Sequence, residues 1–300
     1  MARKVSPRSL IIDAASILEK VMLLELSPIA DAMISKIIGR ARGLPPSRRL
    51  EAIKEITWTG EAAYLRKITE AIAEIALESI DMAKGELGGK KFRFEEEIES
   101  YQLAAKTIPT SLEKLPAATR KFVKKQADLL VGTQLKDLEQ KLFYQWTDSY
   151  DTIDDFDILE DDLNKAALSY LEGSAVRAGA GLLSSKTVNE ARNGFFFEPD
   201  VLDELDAFEF VNEGPVTQIC EDLAGTVFAK DDPEMFRYTP PLHWNCKSWI
   251  RPILKGGLQK ALDKSGQEKL EKLKPSTKKV EETIQFSEKY LTENTACLHP

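Results

Sequence analysis

Leu65, Ile68, Ile72, Ile75 and Ile80 recur at spacings of three to five residues, with Glu70, Glu74 and Glu78 set among them. That is the period of an α-helix, so the segment predicts a helix with one apolar stripe and an acidic flank. Ile17, Val21 and Leu24 mark a similar face upstream. The chain is then expected to break at Ser27-Pro28 and restart as a short helix carrying Ile29, Met33 and Ile37, because proline is tolerated in a first turn. Gly43-Leu44-Pro45-Pro46 and the run from Gly85 to Gly89 punctuate the pattern. Helices this one-sided cannot stand alone, and a partner surface is expected for them.

Further along, Ala117 to Trp146 predicts another helix, with Phe122, Leu129, Leu138, Leu142 and Trp146 as its buried positions. The stretch from Asp148 to Asp162 holds eight carboxylates and no basic residue. It lacks the ligand ladder of a calcium loop, so it reads as a solvated segment whose acidic end starts the next helix, where the dipole favours them. Leu163 to Leu171 continues that helix. Gly173 to Gly181 reads as a small-residue packing surface or a turn, and Ser184 to Thr187 as N-caps for a helix carrying Val188, Asn189, Ala191 and Arg192.

Past Asn193-Gly194 the character changes. Ala207 to Val211 and Thr226 to Phe228 are short aromatic and β-branched runs, which predict strands. Asn212 to Pro215 reads as a turn, and the sequence after Pro252 returns to helix formers. The expected fold class is α+β: a predominantly helical N-terminal region, a small mixed module with short strands, and a helical tail. The expected boundaries are 1–110, 111–183, 184–256 and 257–300.

Composition narrows the function classes. Apolar residues make up 43% and charged residues 30% of 300, an ordinary globular usage. The longest purely apolar runs are four residues, so no membrane span is expected. No apolar run follows the basic start, so no secretory signal is expected. A net charge of −8 argues against a protein that coats DNA, and three cysteines are too few for a disulfide framework. The expectation is a soluble, mildly acidic protein made in a reducing cytoplasm.

Two histidines and three cysteines serve the whole chain, yet His243 and Cys246 stand together in YTPPLHWNCKS behind Pro240 and Pro241. Cys220 lies upstream in ICEDLAGTVF. Thiol and imidazole are ligands that zinc prefers, and Asp222 could supply a fourth donor. The preferred expectation is no cofactor, with Cys220 and Cys246 as small buried side chains and His243 hydrogen-bonded across two turns. Zinc on Cys220, His243 and Cys246 is the alternative, and a Cys220–Cys246 disulfide is a third. A thiol nucleophile with a histidine base is also open, although no third orienting group stands out. The two prolines fix the backbone and so present His243 and Cys246 with little entropy left to lose.

The ordered set AFEFVNEGPVTQICEDLAGTVF, an acidic spacer and YTPPLHWNCKSWIRPI resembles the signature of the phage head morphogenesis family, the Mu F-like minor head proteins. The matching positions are Cys220, Asp222, Gly225, Pro240, Pro241, Leu242, His243, Asn245 and Cys246. VNEARNGFF, from Val188 to Phe196, is similar to the helix that precedes this module in the family. Ala224 and Trp244 stand where the family more often carries Asp and Pro. The resemblance covers Thr187 to Ile253, about a quarter of the chain.

What the resemblance implies is a structural protein of a tailed bacteriophage, with no catalytic residues. Such a minor capsid protein is made in the host cytoplasm and enters the virion in few copies, or as an oligomer around the portal vertex. Its partners are the portal and major capsid proteins, and it assists head assembly, DNA packaging or ejection. The residues expected to form a structural clasp are Cys220, Asp222, Gly225, Pro240, Pro241, His243, Asn245 and Cys246. An alternative is a phage-borne toxin or DNA-processing enzyme that uses the same module as a packaging tag. Contact with packaged DNA is a further alternative, through Arg120, Lys121, Lys124 and Lys125 on one helix or through Arg40, Arg42, Arg48 and Arg49 near the Pro45-Pro46 turn.

Overall fold

The structure, a computed structural model, describes residues 6–54, 60–88, 110–150, 153, 155–213, 217–243 and 246–258. In chain order the helices are α1 (Pro7–Ala41), α2 (Glu51–Lys54), α3 (Glu61–Glu86), α4 (Thr110–Glu113), α5 (Ala117–Ser149), α6 (Phe156–Leu171), α7 (Ser174–Phe196) and α8 (Pro199–Leu202). Strand β1 (Leu205–Val211) follows, then α9 (Gln218–Leu223), β2 (Val227–Ala229), α10 (Pro233–Tyr238) and β3 (Trp249–Leu254). The chain is thus mostly helical α+β, as expected. The tail expected to be helical lies, from 259 onward, outside the described residues.

Helix α1 starts on a capping box in which Ser6 and Ser9 exchange side-chain and backbone bonds, with Pro7 in the first turn. It does not break at Pro28. Pro28 and Leu24 both lie on the outer face, Leu24 73% exposed, so the carbonyl released by the missing N–H faces water while the inner stripe runs on. That stripe is Leu18, Met22, Leu26, Ile29, Met33 and Ile37, offset from the expected Ile17 and Leu24, which point outward.

α1, α3, α5 and α7 bury their stripes against one another in one continuous core, which also takes in Leu138, Leu142 and Trp146 of α5. Leu129, expected inside, is 40% exposed. The stripes thus find their second layer within the chain and do not themselves call for a foreign partner. α6 begins at the end of the acidic stretch, where the Asp155 carboxylate accepts from the Asp157 N–H at 2.9 Å.

α7 is the element that the sequence reading divided. Of the Gly173 to Gly181 stretch, Gly173 is the N-cap where α6 gives way to α7, and from Ser174 onward the chain is already helical. Gly179 faces α5, where a β-carbon would meet Leu130 at 3.4 Å and Gln134 at 3.7 Å in ordinary van der Waals contact. Ser184 to Thr187, expected to cap a helix, lie in the middle of one, with Ser184, Ser185 and Thr187 buried, because α7 already has α1, α3 and α5 around it. The expected boundary between 183 and 184 therefore falls inside a continuous helix.

The sheet has the order β2-β1-β3, antiparallel throughout, with Phe208 opposite Phe228 and Phe210 opposite Ile250. Phe208 packs against Phe196 and Phe197 at the end of α7, with centroids 6.0 and 5.6 Å away. β3 was not expected as a strand. Pro252 masks it in sequence and is tolerated because β3 lies at the sheet edge. The C-terminal half of α7 is the platform on which this small module rests.

Candidate functional site

Four polar residues of α7, Ser185, Asn189, Arg192 and Asn193, are spaced to share one helical face, and all are buried. Burial of polar atoms costs free energy unless partners are supplied; Asn189 donates to the Ser185 carbonyl of its own helix at 3.1 Å, and the other three find carbonyls of the incoming chain. Asn193 donates through Nδ2 to the Pro240 carbonyl at 2.9 Å. Ser185 donates to the Cys246 carbonyl. Arg192, 1% exposed, donates to the Ile250 carbonyl at 3.2 Å and holds Glu86 of α3 through two bonds of 2.6 and 3.1 Å. Pro240 and Cys246 lie outside the strands, and α7 supplies the donors for their carbonyls.

This scaffold fixes the turn that carries the chemistry. The bond between Pro240 and Pro241 is cis, Leu242 is buried, and the Cys246 N–H donates to the His243 carbonyl at 3.2 Å. Cys220 arrives from the other side on α9, not on a loop, with Ile219 and Leu223 buried beside it. Gly225, at φ +79°, then turns the chain and donates to the Phe210 carbonyl at 2.8 Å, closing α9 onto β1. A residue with a β-carbon is strained at that φ.

The three side chains meet. Cys220 Sγ lies 3.1 Å from His243 Nε2 and 3.8 Å from Cys246 Sγ, and the three ligand atoms all fall within 4.8 Å of one another. Both thiols are completely buried, while His243 is half-buried. Hydrogen bonding to Cys246 and then burial raise the Cys220 thiol well above its ordinary range. Cys246 moves the other way, down to about 7, chiefly through the bond from Cys220 and with help from the Leu242 and Ser248 amides. The Ser248 hydroxyl is buried beside both sulfurs and acts to lower both thiols.

Not every expected member of the clasp joins it. Asp222 stands two residues beyond Cys220, nearly opposite on the helix, and accepts from Gln218 Nε2 at 2.8 Å on the exposed side. Pro240 and Pro241 shape the turn and Gly225 positions α9. Asn245 lies outside the described residues. Ser185 and Asn193 were not anticipated as the holders of this turn. The signal for them was polar residues at helical spacing within an otherwise apolar segment.

The basic clusters also separate. Lys121, Lys124 and Lys125 are exposed on α5, whereas Arg120 turns back to the Leu115 carbonyl at 3.0 Å. Near the Pro45-Pro46 turn, Arg49 is buried over the Phe156 ring and donates to the Ile153 carbonyl at 3.2 Å. Arg48 is paired with Glu51 and Arg42 with Asp157. That second cluster is mostly committed to the protein itself.

Comparison of the chain with family models, curated proteins and solved structures finds no match.

Proposed function

We propose that this chain is a minor capsid protein of a tailed bacteriophage, acting in head morphogenesis. The helical bundle docks on the portal or on the major capsid protein, and the Cys/His module forms a rigid clasp at one end of it. The observation that carries the reading is convergence. The segments that resemble the head morphogenesis signature are separated in sequence, yet VNEARNGFF, ICEDLAG, YTPPLH and Cys246 meet at one place, with α7 holding Pro240 and Cys246 by their carbonyls. A structural role is favoured over thiol catalysis because both sulfurs are sealed from solvent, where a substrate has no approach.

The test is co-expression with the portal and major capsid proteins of the same phage, followed by sedimentation and imaging of the particles. Co-sedimentation with portal rings or procapsids, in few copies, is the expected result. A chain that remains a lone monomer in their presence would sink the proposal. If packaged DNA is also touched, the exposed lysines of α5 are the place for it. Lys124→Glu would then weaken a salt-sensitive, sequence-independent affinity.

A further inference from the structure

We propose that Cys220, His243 and Cys246 bind one Zn²⁺ through two thiolates and an imidazole, with water as the fourth ligand on the solvent side of His243. The inference stands on the geometry of the site and is independent of the capsid reading.

The first argument is distance. Zinc–sulfur bonds of about 2.3 Å at a tetrahedral angle place the two sulfurs about 3.8 Å apart. The observed separation is 3.8 Å. A zinc-bound nitrogen would stand about 3.6 Å from each sulfur. His243 Nε2 is 3.1 Å from Cys220, and no pair among the three ligand atoms exceeds 4.8 Å. A displacement of the imidazole by about 1 Å brings both sulfur–nitrogen legs into range.

The second argument is the surroundings of the sulfurs. The Leu242 and Ser248 amides lie beside Cys246, and the buried Ser248 hydroxyl lies beside both sulfurs. Groups of this kind, one step out from the ligands, orient and tune a metal site. The turn itself is held by Ser185 and Asn193 through main-chain carbonyls, so the ligands are in position without the ion's help. Loading releases the two thiol protons to solvent and changes no oxidation state.

A third argument separates zinc from a disulfide. An S–S bond would use only the two sulfurs, yet His243 Nε2 lies nearer to the Cys220 sulfur than Cys246 does. Soft sulfur with borderline nitrogen in a three-ligand set with one open position is a zinc preference.

The experiment uses the full chain, purified under reducing conditions without chelator, with metal content read by elemental analysis. A Cys220→Ser/Cys246→Ser variant and a Cys297→Ser/His299→Ala variant accompany it, the latter removing the remaining cysteine and histidine of the chain. Near-stoichiometric zinc in the wild type and the tail variant, lost in the Cys220/Cys246 variant, is the expected result. Substoichiometric metal that is equal in all three overturns the proposal, and so does metal lost only with Cys297 and His299. Should the Cys220/Cys246 variant fail to fold, cobalt exchange into the wild type decides. Sulfur-to-cobalt charge transfer with intense tetrahedral bands supports the site, and a weak octahedral spectrum sinks it. Protein that is metal-free with a Cys220–Cys246 disulfide also overturns it.

Discussion

Where α1, α3 and α5 meet α7, the contact is mostly hydrocarbon: Leu18, Met22, Ile72, Val176, Ala180 and Leu183 belong to one buried core, flanked by the ion pairs Arg177–Glu19 and Arg192–Glu86. Where the β-module meets the same helix, side-chain donors reach main-chain carbonyls at Pro240, Cys246 and Ile250. The two interfaces share α7 and differ in kind. Apolar packing is indifferent to small rotations and gains free energy in proportion to area, whereas a hydrogen bond to a carbonyl fixes one atom to one place. The bundle is therefore built for stability and the module for position. A turn that must present His243 and Cys246 to Cys220 at 3.1 and 3.8 Å needs the second kind of support.

The comparison breaks most visibly in the bundle. Trp146 is fully buried and its indole N–H donates to the Arg49 carbonyl at 3.1 Å. Trp146→Ala is expected to cost about 4 kcal/mol in chemical denaturation followed by helical signal. Because α7 belongs to both regions, trapping of the Cys246 thiol should follow the same transition. If the module outlived the bundle, α7 would not be the shared element claimed for it.

Arg192 is where the two interfaces touch, since it links Glu86 of the bundle to Ile250 of the module and lies 5.3 Å from the Phe196 ring centroid. Arg192→Met strands the Glu86 carboxylate and the Ile250 carbonyl, at a cost of about 3 kcal/mol. Adding Glu86→Gln should recover part of that loss, and a double-mutant cycle measures the coupling. Additive effects would mean that the pair is incidental.

How much of this was legible in the sequence follows the same division. The bundle announced itself because helical periodicity is a local signal: the stripe through Ile68, Ile72, Ile75 and Ile80 is buried as expected. It misled at Pro28, where a local breaker was overridden by packing on both sides, and at Leu24, which falls midway between Met22 and Leu26 of the true face. For the module, the strands at 207–211 and 227–229 were legible from β-branched and aromatic runs, but β3 was hidden by Pro252. The rarity of His and Cys pointed to Cys220, His243 and Cys246, which do meet. Their support from Ser185 and Asn193 was not readable, because a polar residue within a helix carries no mark of which distant carbonyl it will find.

Positional support can be weakened without unfolding. Ser185→Ala and Asn193→Ala each remove one donor and leave a buried carbonyl unpaired, for losses of about 1–2 kcal/mol. The sharper readout is chemical. Cys246, now sealed, should react faster with a thiol reagent in both variants, while an apolar truncation such as Leu18→Ala should leave that rate tied to global unfolding. Equal acceleration by all three variants would erase the distinction between the interfaces. Gly225→Ala acts on the opposite side of the site, where φ +79° strains any β-carbon, and should cost about 1 kcal/mol.

The smallest effect is expected at a residue that the two regions treat oppositely. Proline in the module is buried and bonded, with the Pro240 carbonyl held by Asn193, so its rigid ring and its position are both used. Proline in the bundle is exposed at Pro28, in the interior of α1, where it only withholds an N–H from the Leu24 carbonyl. Pro28→Ala restores that bond and relieves the ring's clash with the preceding turn, but it also frees the unfolded chain. The two effects oppose each other and leave a net gain of about 1 kcal/mol. Thermal unfolding of Pro28→Ala should therefore shift upward with the reactivity of Cys246 unchanged below the transition. Pro240→Ala should shift it downward and expose the thiol. If both substitutions moved stability in the same direction, the contrast between hydrocarbon packing and carbonyl anchoring would not extend to the backbone, and α7 would have to be regarded as packing both regions alike.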